Sequence, residues 1–94
     1  MAPNNITNSV IEVLQEYQKM SGRICGPIDE STFPITGLLG FDSLNGIEVT
    51  MEISHRLGIE IPDQNICVDK SGKRPLRVRE IVSRICELKV QRTT

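Results

Sequence analysis

The sequence predicts an all-α fold built as one small helical bundle. Three stretches place apolar residues at steps of three and four, the repeat of a helix that buries one face. The intervals between them are crowded with glycine and proline, which interrupt regular structure. A chain of 94 residues that is 38% hydrophobic has material for one modest core and not for two. Residues 1–94 therefore read as a single domain, with 1–5 and 90–94 expected to fray. Aromatic side chains are limited to Tyr17, Phe33 and Phe41, so Ile, Val, Leu and Met must fill the interior. Such side chains repack more readily than stacked rings, which suits a core that opens for a guest.

The first helix is expected to begin near Ile6 to Asn8, with Asn or Thr as its cap, and to stop at Gly22. Ile6, Val10, Val13, Leu14, Tyr17 and Met20 form its apolar stripe, and Glu12, Gln15, Glu16 and Lys19 fall largely outside it. Residues 21–42 then hold Gly22, Gly26, Pro27, Pro34, Gly37 and Gly40, too many breakers for a regular element of any length. A connection of about 20 residues is longer than most loops, so it should be tied down by its own side chains. Ile24, Ile28, Phe33, Ile35 and Leu39 are the expected tethers.

The second periodic stretch is predicted as a helix over Ser43–Leu57, about 22 Å at ~1.5 Å per residue. Leu44, Ile47, Met51 (with Val49 beside it), Ile53 and Leu57 supply the apolar face, and Glu48, Glu52, His55 and Arg56 the complementary one. Gly58 stops it and Pro62 forbids its renewal. Ser43 thus stands where unpaired N–H groups and the positive end of the helix dipole would welcome a phosphate. The plain alternative is that Ser43 or Asp42 is only an N-cap.

After Pro62 the segment DQNICVDKSGKRP is polar and broken by Gly72 and Pro75. At most one helical turn is expected near residues 63–67, where Ile66, Cys67 and Val68 look buriable, followed by an exposed basic loop from Lys70 to Arg74. A last helix resumes at about Leu76, with Val78, Ile81, Val82, Ile85 and Leu88 inward and Arg77, Arg79, Arg84 and Lys89 outside.

The net charge of −1 makes no case for a nucleic-acid or membrane protein. Its distribution is uneven: acids gather in residues 42–63 and bases in 70–94, a bipolar molecule unless the two segments pair with each other. No aromatic residue beyond Phe41 accompanies the bases to read nucleotides. No apolar run is long enough to span a membrane, and the N-terminus has no signal-peptide pattern. Cys25, Cys67 and Cys86 are odd in number, lack CxxC spacing and have no histidine placed to complete a zinc site. Free thiols, a reducing compartment, a cytoplasmic location and no bound metal are expected.

Nothing in the pattern assembles a catalytic group. His55 is the sole histidine, and on one helix it lies about 18 Å from Ser43. Glu48 and Glu52, four residues apart, read as a solvated helix face. No catalytic residue is assigned.

The motif around the serine carries the function. Asp42-Ser43-Leu44 follows Leu39-Gly40, Glu48 and Met51 stand five and eight residues past the serine, and Gly58-Ile59-Glu60-Ile61-Pro62-Asp63 closes the helix. This arrangement, with Val78, Ile81 and Ile85 in the last helix, resembles the acyl carrier protein family. The resemblance implies a four-helix acyl-carrier-like bundle with a long first loop, its third helix short or missing here. It implies that Ser43 carries 4′-phosphopantetheine through a phosphodiester, the thiol of that arm holding acyl intermediates as thioesters for fatty-acid, lipid or polyketide-type biosynthesis. The expected partners are a phosphopantetheinyl transferase and acyl-loading and acyl-transferring enzymes, served by a monomer that is itself no enzyme. Asp42, Leu44, Glu48, Met51, Glu52, His55 and Arg56 become the expected partner-recognition residues. Leu44, Ile47, Met51, Ile59, Ile61 and Ile66 become the expected lining of an acyl cavity.

The chain departs from the family at Asn45, where an acid is common, and at His55-Arg56, where two acids often stand. Gly46 replaces a better helix former at a cost of about 1 kcal/mol, loosening the first turns or admitting a partner's backbone. These departures suggest dedicated partners. The competing class is a noncatalytic helical interaction module, an adaptor or basic-tailed nucleic-acid binder, in which Ser43 is only a helix cap.

Overall fold

The computed structural model describes residues 3–23 and 26–92. Its helices are α1 (Pro3–Met20), α2 (Pro34–Gly37), α3 (Ser43–Leu57) and α4 (Val78–Arg92). Among the described residues there is no strand, only an isolated antiparallel bridge between Val68 and Pro75. α1 packs on both α3 and α4, and α2 packs on α3.

α1 begins at Pro3, ahead of the expected start, because proline's missing N–H costs nothing in a first turn. Residues 3–5, where fraying was expected, lie within α1, and Met1 and Ala2 lie outside the described residues. At the other end α4 runs on to Arg92 and takes in Val90, where fraying was expected to begin. Ile6, Val10, Val13 and Leu14 are buried as their spacing predicts. Met20 is not: it is 87% exposed, and the inward position of the last turn belongs to Gln18, which is fully buried. Gln18 is four residues on from Leu14, whereas Met20 lies about 200° around the helix from Gln18.

The long first connection is tied down in two ways. Ile28, Leu38 and Phe41 are buried, with Ile35 packed against them, while Leu39 is 66% exposed, so Leu38 and not Leu39 is the tether. Ile24 lies outside the described residues. The loop backbone also completes α4: the N–H groups of Val78 and Arg79 donate to Thr32 O and Glu30 O, each at 2.9 Å. A helix start leaves such donors unpaired, and here the connection itself satisfies them. Arg77, whose N–H donates to the Glu80 carboxylate, lays its guanidinium over the Phe33 ring at 4.8 Å. α4 therefore starts at Val78, two residues later than Leu76, and buries Val78, Ile81, Val82, Ile85 and Leu88 as its period predicts.

α3 has the predicted bounds, and Gly58 closes it in the left-handed conformation at φ 64°. Its inward face is only partly the one read from the apolar residues: Val49 and Ile53 are inside and Leu57 packs against the core, as expected, but Leu44 and Met51 are not. Asn45, Gly46, Val49, Thr50 and Ile53 are buried, whereas Leu44 and Met51 are 63% and 64% exposed. Gly46 and Thr50 take inner positions because the chain after Pro62 packs there, the Asn65 side chain against Gly46 and the Ile66 backbone against Thr50. Thr50 Oγ1 donates to Gly46 O at 2.7 Å and accepts from the Ile66 N–H at 2.9 Å.

That following segment forms no helix. Ile66 and Cys67 make a buried turn, and Leu76 N–H donates to Cys67 O at 2.9 Å. Burial pushes the Cys67 thiol up to about 12. Cys67 and Cys86 are free thiols, and Cys25 lies outside the described residues. The basic loop is exposed as expected, yet it is ordered by Asp69, whose carboxylate accepts from Ser71 Oγ (2.7 Å), Lys73 N (3.2 Å) and Arg74 N (3.3 Å).

Among the described residues the acidic and basic segments pair at one place, which limits the bipolar reading without removing it. Asp63 and Arg84 form a bidentate pair at 2.7 and 3.0 Å, with side chains only 16% and 18% exposed. The Arg84 guanidinium holds the Asp63 carboxyl below its ordinary value of 3.8. A carboxylate depressed in the fold adds stability above its unfolded value, and that stability is lost as pH falls through the lower folded value. Glu16 (through Arg56), Asp69 (through Ser71) and Glu80 (through the Arg77 N–H) are depressed likewise. Asp63→Asn should therefore cost about 1–2 kcal/mol at neutral pH and less as pH drops below about 4, in urea melts across a pH series. A pH-independent cost would mean that the ion pair is not the source.

Candidate functional site

Ser43 is the first residue of α3, and its geometry separates it from the cap. The N-cap is Asp42, extended at φ −116° and ψ −172°. Asp42 Oδ1 accepts from the Asn45 N–H at 3.1 Å, and Asn45 Oδ1 accepts from the Asp42 N–H at 3.1 Å, a reciprocal capping box. Asp42 O also accepts from the Gly46 N–H at 3.0 Å. The reading of Ser43 as a mere cap is thereby corrected: its exposed hydroxyl takes no hydrogen bond among the described residues. The N–H groups of Ser43 and Leu44 likewise meet no acceptor among them, so the positive end of a 15-residue helix opens beside the hydroxyl.

The turn is gripped from two sides. On one side Asn45, 8% exposed, donates from Nδ2 to Tyr17 Oη at 2.8 Å and accepts from Arg23 at 3.2 Å. Tyr17 Oη donates to Glu48 Oε1. Arg23 also reaches Gln18 Oε1 at 3.3 Å, and Gln18 Nε2 donates to Leu39 O at 2.9 Å. Burial, then the Glu48 carboxylate, raises the Tyr17 hydroxyl above its ordinary value. On the other side Asn65 donates to Ser43 O at 3.1 Å.

The expected recognition residues are not equivalent. Asp42, Leu44 and Met51 are exposed on the outer face of α3, as is His55. Glu48 is exposed but tied to Tyr17. Arg56 is bound to Glu16 at 3.1 Å and to Glu52 at 3.4 Å, with Glu12 at 4.0 Å, so its charge is largely spent within the molecule.

The expected acyl-cavity residues divide three ways. Ile47, Met51 and Ile61 share one open groove of about 630 Å³ with Thr50, Ser54 and His55. Ile59 and Ile66 belong to the closed core, and Leu44 stands outside the groove. Sequence reasoning missed Tyr17, Gln18, Arg23 and Asn65 as supports of the serine turn. A glutamine at an inward helical position was the available signal, since a buried amide needs partners. No group of His, Cys, Asp and Glu suited to a metal ion occurs among the described residues. No helix among them is long and apolar enough to cross a membrane.

The residues present fit a phosphodiester-linked arm: a free hydroxyl on an exposed first turn, beside N–H groups that no protein acceptor uses. Residues 26–68 match the family described as phosphopantetheine attachment site, a span that runs from the first loop through α3 to the Ile66–Cys67 turn. A curated relative, the mitochondrial acyl carrier protein of Dictyostelium discoideum, is 36% identical over 64 residues, covering 68% of this chain and 49% of its own length. The chain thus spans about half the length of that relative. No solved structure gives a significant match. The matched family carries covalently attached 4′-phosphopantetheine, and its acyl carrier members are carriers and not catalysts. With the matched span centred on α3 and its serine, the chain belongs to the acyl carrier protein family.

Proposed function

We propose that this protein is an acyl carrier whose 4′-phosphopantetheine is attached to Ser43. One observation carries the reading: Asp42 does the capping, which leaves the Ser43 hydroxyl free at the mouth of the helix. Once bound, the arm supplies a thiol on a long flexible tether, and acyl groups travel on that thiol as thioesters. The protein's own part is to hold the first turn of α3 helical, present its N–H groups toward the phosphodiester, and keep Leu44 and Met51 outward for enzymes that dock there.

The groove of Ile47, Met51 and Ile61 is the surface assigned to the acyl chain. It begins on the same face of α3, with Met51 exposed, Ile47 half-buried and Ile61 packed against the edge of the core. Partners follow from the role: a phosphopantetheinyl transferase, then acyl-loading and acyl-transferring enzymes of fatty-acid, lipid or polyketide-type synthesis, acting on a monomer. The free thiols of Cys67 and Cys86 suit a reducing compartment, the cytoplasm expected from the sequence or a mitochondrion as the relative's name records.

Coexpression with a broad-specificity transferase tests the class. Intact-mass spectrometry should show one phosphopantetheine added per chain, mapped to the peptide that contains Ser43. An unmodified chain, or a mass mapped elsewhere, removes the reading.

A further inference from the structure

We propose that Asn65 is a positioning residue for Ser43, a latch on the first turn of α3, and that Gly46 is the notch that admits it. The inference rests on the reading of Ser43 as the attachment point. Gly46 occupies a buried position one turn into α3. A Cβ built there would stand 2.5 Å from Asn65 Oδ1, 2.7 Å from Nδ2 and 2.9 Å from Cγ, closer than such atoms approach. The space that any other residue would fill is occupied by the Asn65 amide.

That amide is used at both ends. Its Oδ1 accepts from the Cys67 N–H at 2.9 Å, and its Nδ2 donates to Ser43 O at 3.1 Å. The assignment of oxygen and nitrogen follows from the partners, since an N–H must meet the oxygen and a carbonyl must meet the NH₂. Asn65 therefore joins the carbonyl of the attachment residue to the turn after Pro62, which Ile66 and Cys67 anchor in the core.

The two residues explain each other. Glycine gives the first turn of α3 the weakest helical preference of any residue but proline, at the place where a serine must be presented in fixed geometry. The latch restores from outside the rigidity that glycine removes, and only glycine leaves room for the latch. Without Asn65 the first turn should fray, and the N–H groups beside the Ser43 hydroxyl would lose their alignment.

Asn65→Asp is the informative variant, because its carboxylate still accepts from the Cys67 N–H while the donor to Ser43 O is gone. With coenzyme A and a broad-specificity phosphopantetheinyl transferase, its apparent KM for the 94-residue chain should rise about five- to tenfold with kcat little changed. A frayed turn lowers the fraction of chain in the competent form and leaves the chemistry alone. Asn65→Ala should behave alike, and Gly46→Ala alone should also raise KM, since its methyl expels the amide. Gly46→Ala added to Asn65→Ala should instead recover most of the loss, because alanine strengthens a turn that no longer has to admit the latch. A residue that merely shaped the 63–68 turn would show no such rescue.

Circular dichroism verifies folding of each variant, and if Asn65→Asp does not fold, the comparison of Asn65→Ala with the double variant decides. Wild-type KM in a folded Asn65→Asp, or no recovery in the double variant, overturns the latch and leaves Ser43 as the attachment point. A wild-type chain that accepts no phosphopantetheine overturns the attachment reading and the role of Asn65 with it.

Discussion

Ser43→Ala is expected to abolish phosphopantetheine attachment completely while leaving the fold intact. The hydroxyl is the only group lost, and among the described residues it supports no hydrogen bond, so the stability change should stay within about 0.5 kcal/mol. Asp42→Ala makes the opposite separation. It removes the acceptor for the Asn45 N–H and should destabilise the chain by about 1 kcal/mol, with a hydroxyl still available for modification. Thermal melts and intact mass on both variants distinguish attachment from capping. Mass added to Ser43→Ala, or a destabilisation of that variant as large as that of Asp42→Ala, would reverse the assignment of the two roles.

The second large effect is at Asn45. An acid there is common in the family, and on an exposed helix it would sharpen recognition by basic enzymes. In this fold Asn45→Asp should instead destabilise by about 1–3 kcal/mol, or roughly 4–8 °C in melting temperature per kcal/mol. Asn45 is buried and donates to Tyr17 Oη, whose own proton already goes to Glu48. A carboxylate at 45 would face that oxygen with no proton to share and would stand beside the Glu48 carboxylate, with only the Arg23 guanidinium and the Asp42 N–H, which the amide oxygen already uses, in compensation. Asn45→Asp melting at the wild-type temperature would mean that the network carries little weight.

The same reasoning changes the test of partner charge. Converting Arg56 to glutamate would set a fourth acid among Glu12, Glu16 and Glu52, a change of fold as much as of surface. His55 is exposed, so His55→Glu is the substitution that tests encounter with basic enzymes, with its effect on modification rate greatest at low salt.

Where periodicity met a simple packing problem, the sequence was read correctly. α4 buries every residue its spacing marks as inward, α3 starts and stops where Ser43 and Gly58 place it, and the serine stands on an exposed first turn. Each of these follows from interactions within about four residues, the range over which capping, propensity and helical period act. The motif around Ser43 is of the same local kind, which is why the family was legible before any fold.

What only the tertiary structure decided lies where distant segments compete for one surface. Leu44, Ile47 and Met51 are as apolar as Val49 and Ile53, which are actually buried, and apolarity alone does not separate the two sides of α3. The choice falls to Gly46 and Thr50 because the turn at Asn65–Ile66 needs a notch and a hydroxyl to satisfy its own backbone. Gln18, Arg23 and Tyr17 reach the serine turn and the Leu39 carbonyl before it across 21 to 28 residues of chain, through directional bonds that leave no periodic trace. Ser43 is proposed as the attachment residue on the strength of local sequence. The rigidity with which it is presented belongs to contacts that exist only after the chain has closed on itself, because hydrogen-bond partners are set by position in space and not by spacing along the chain.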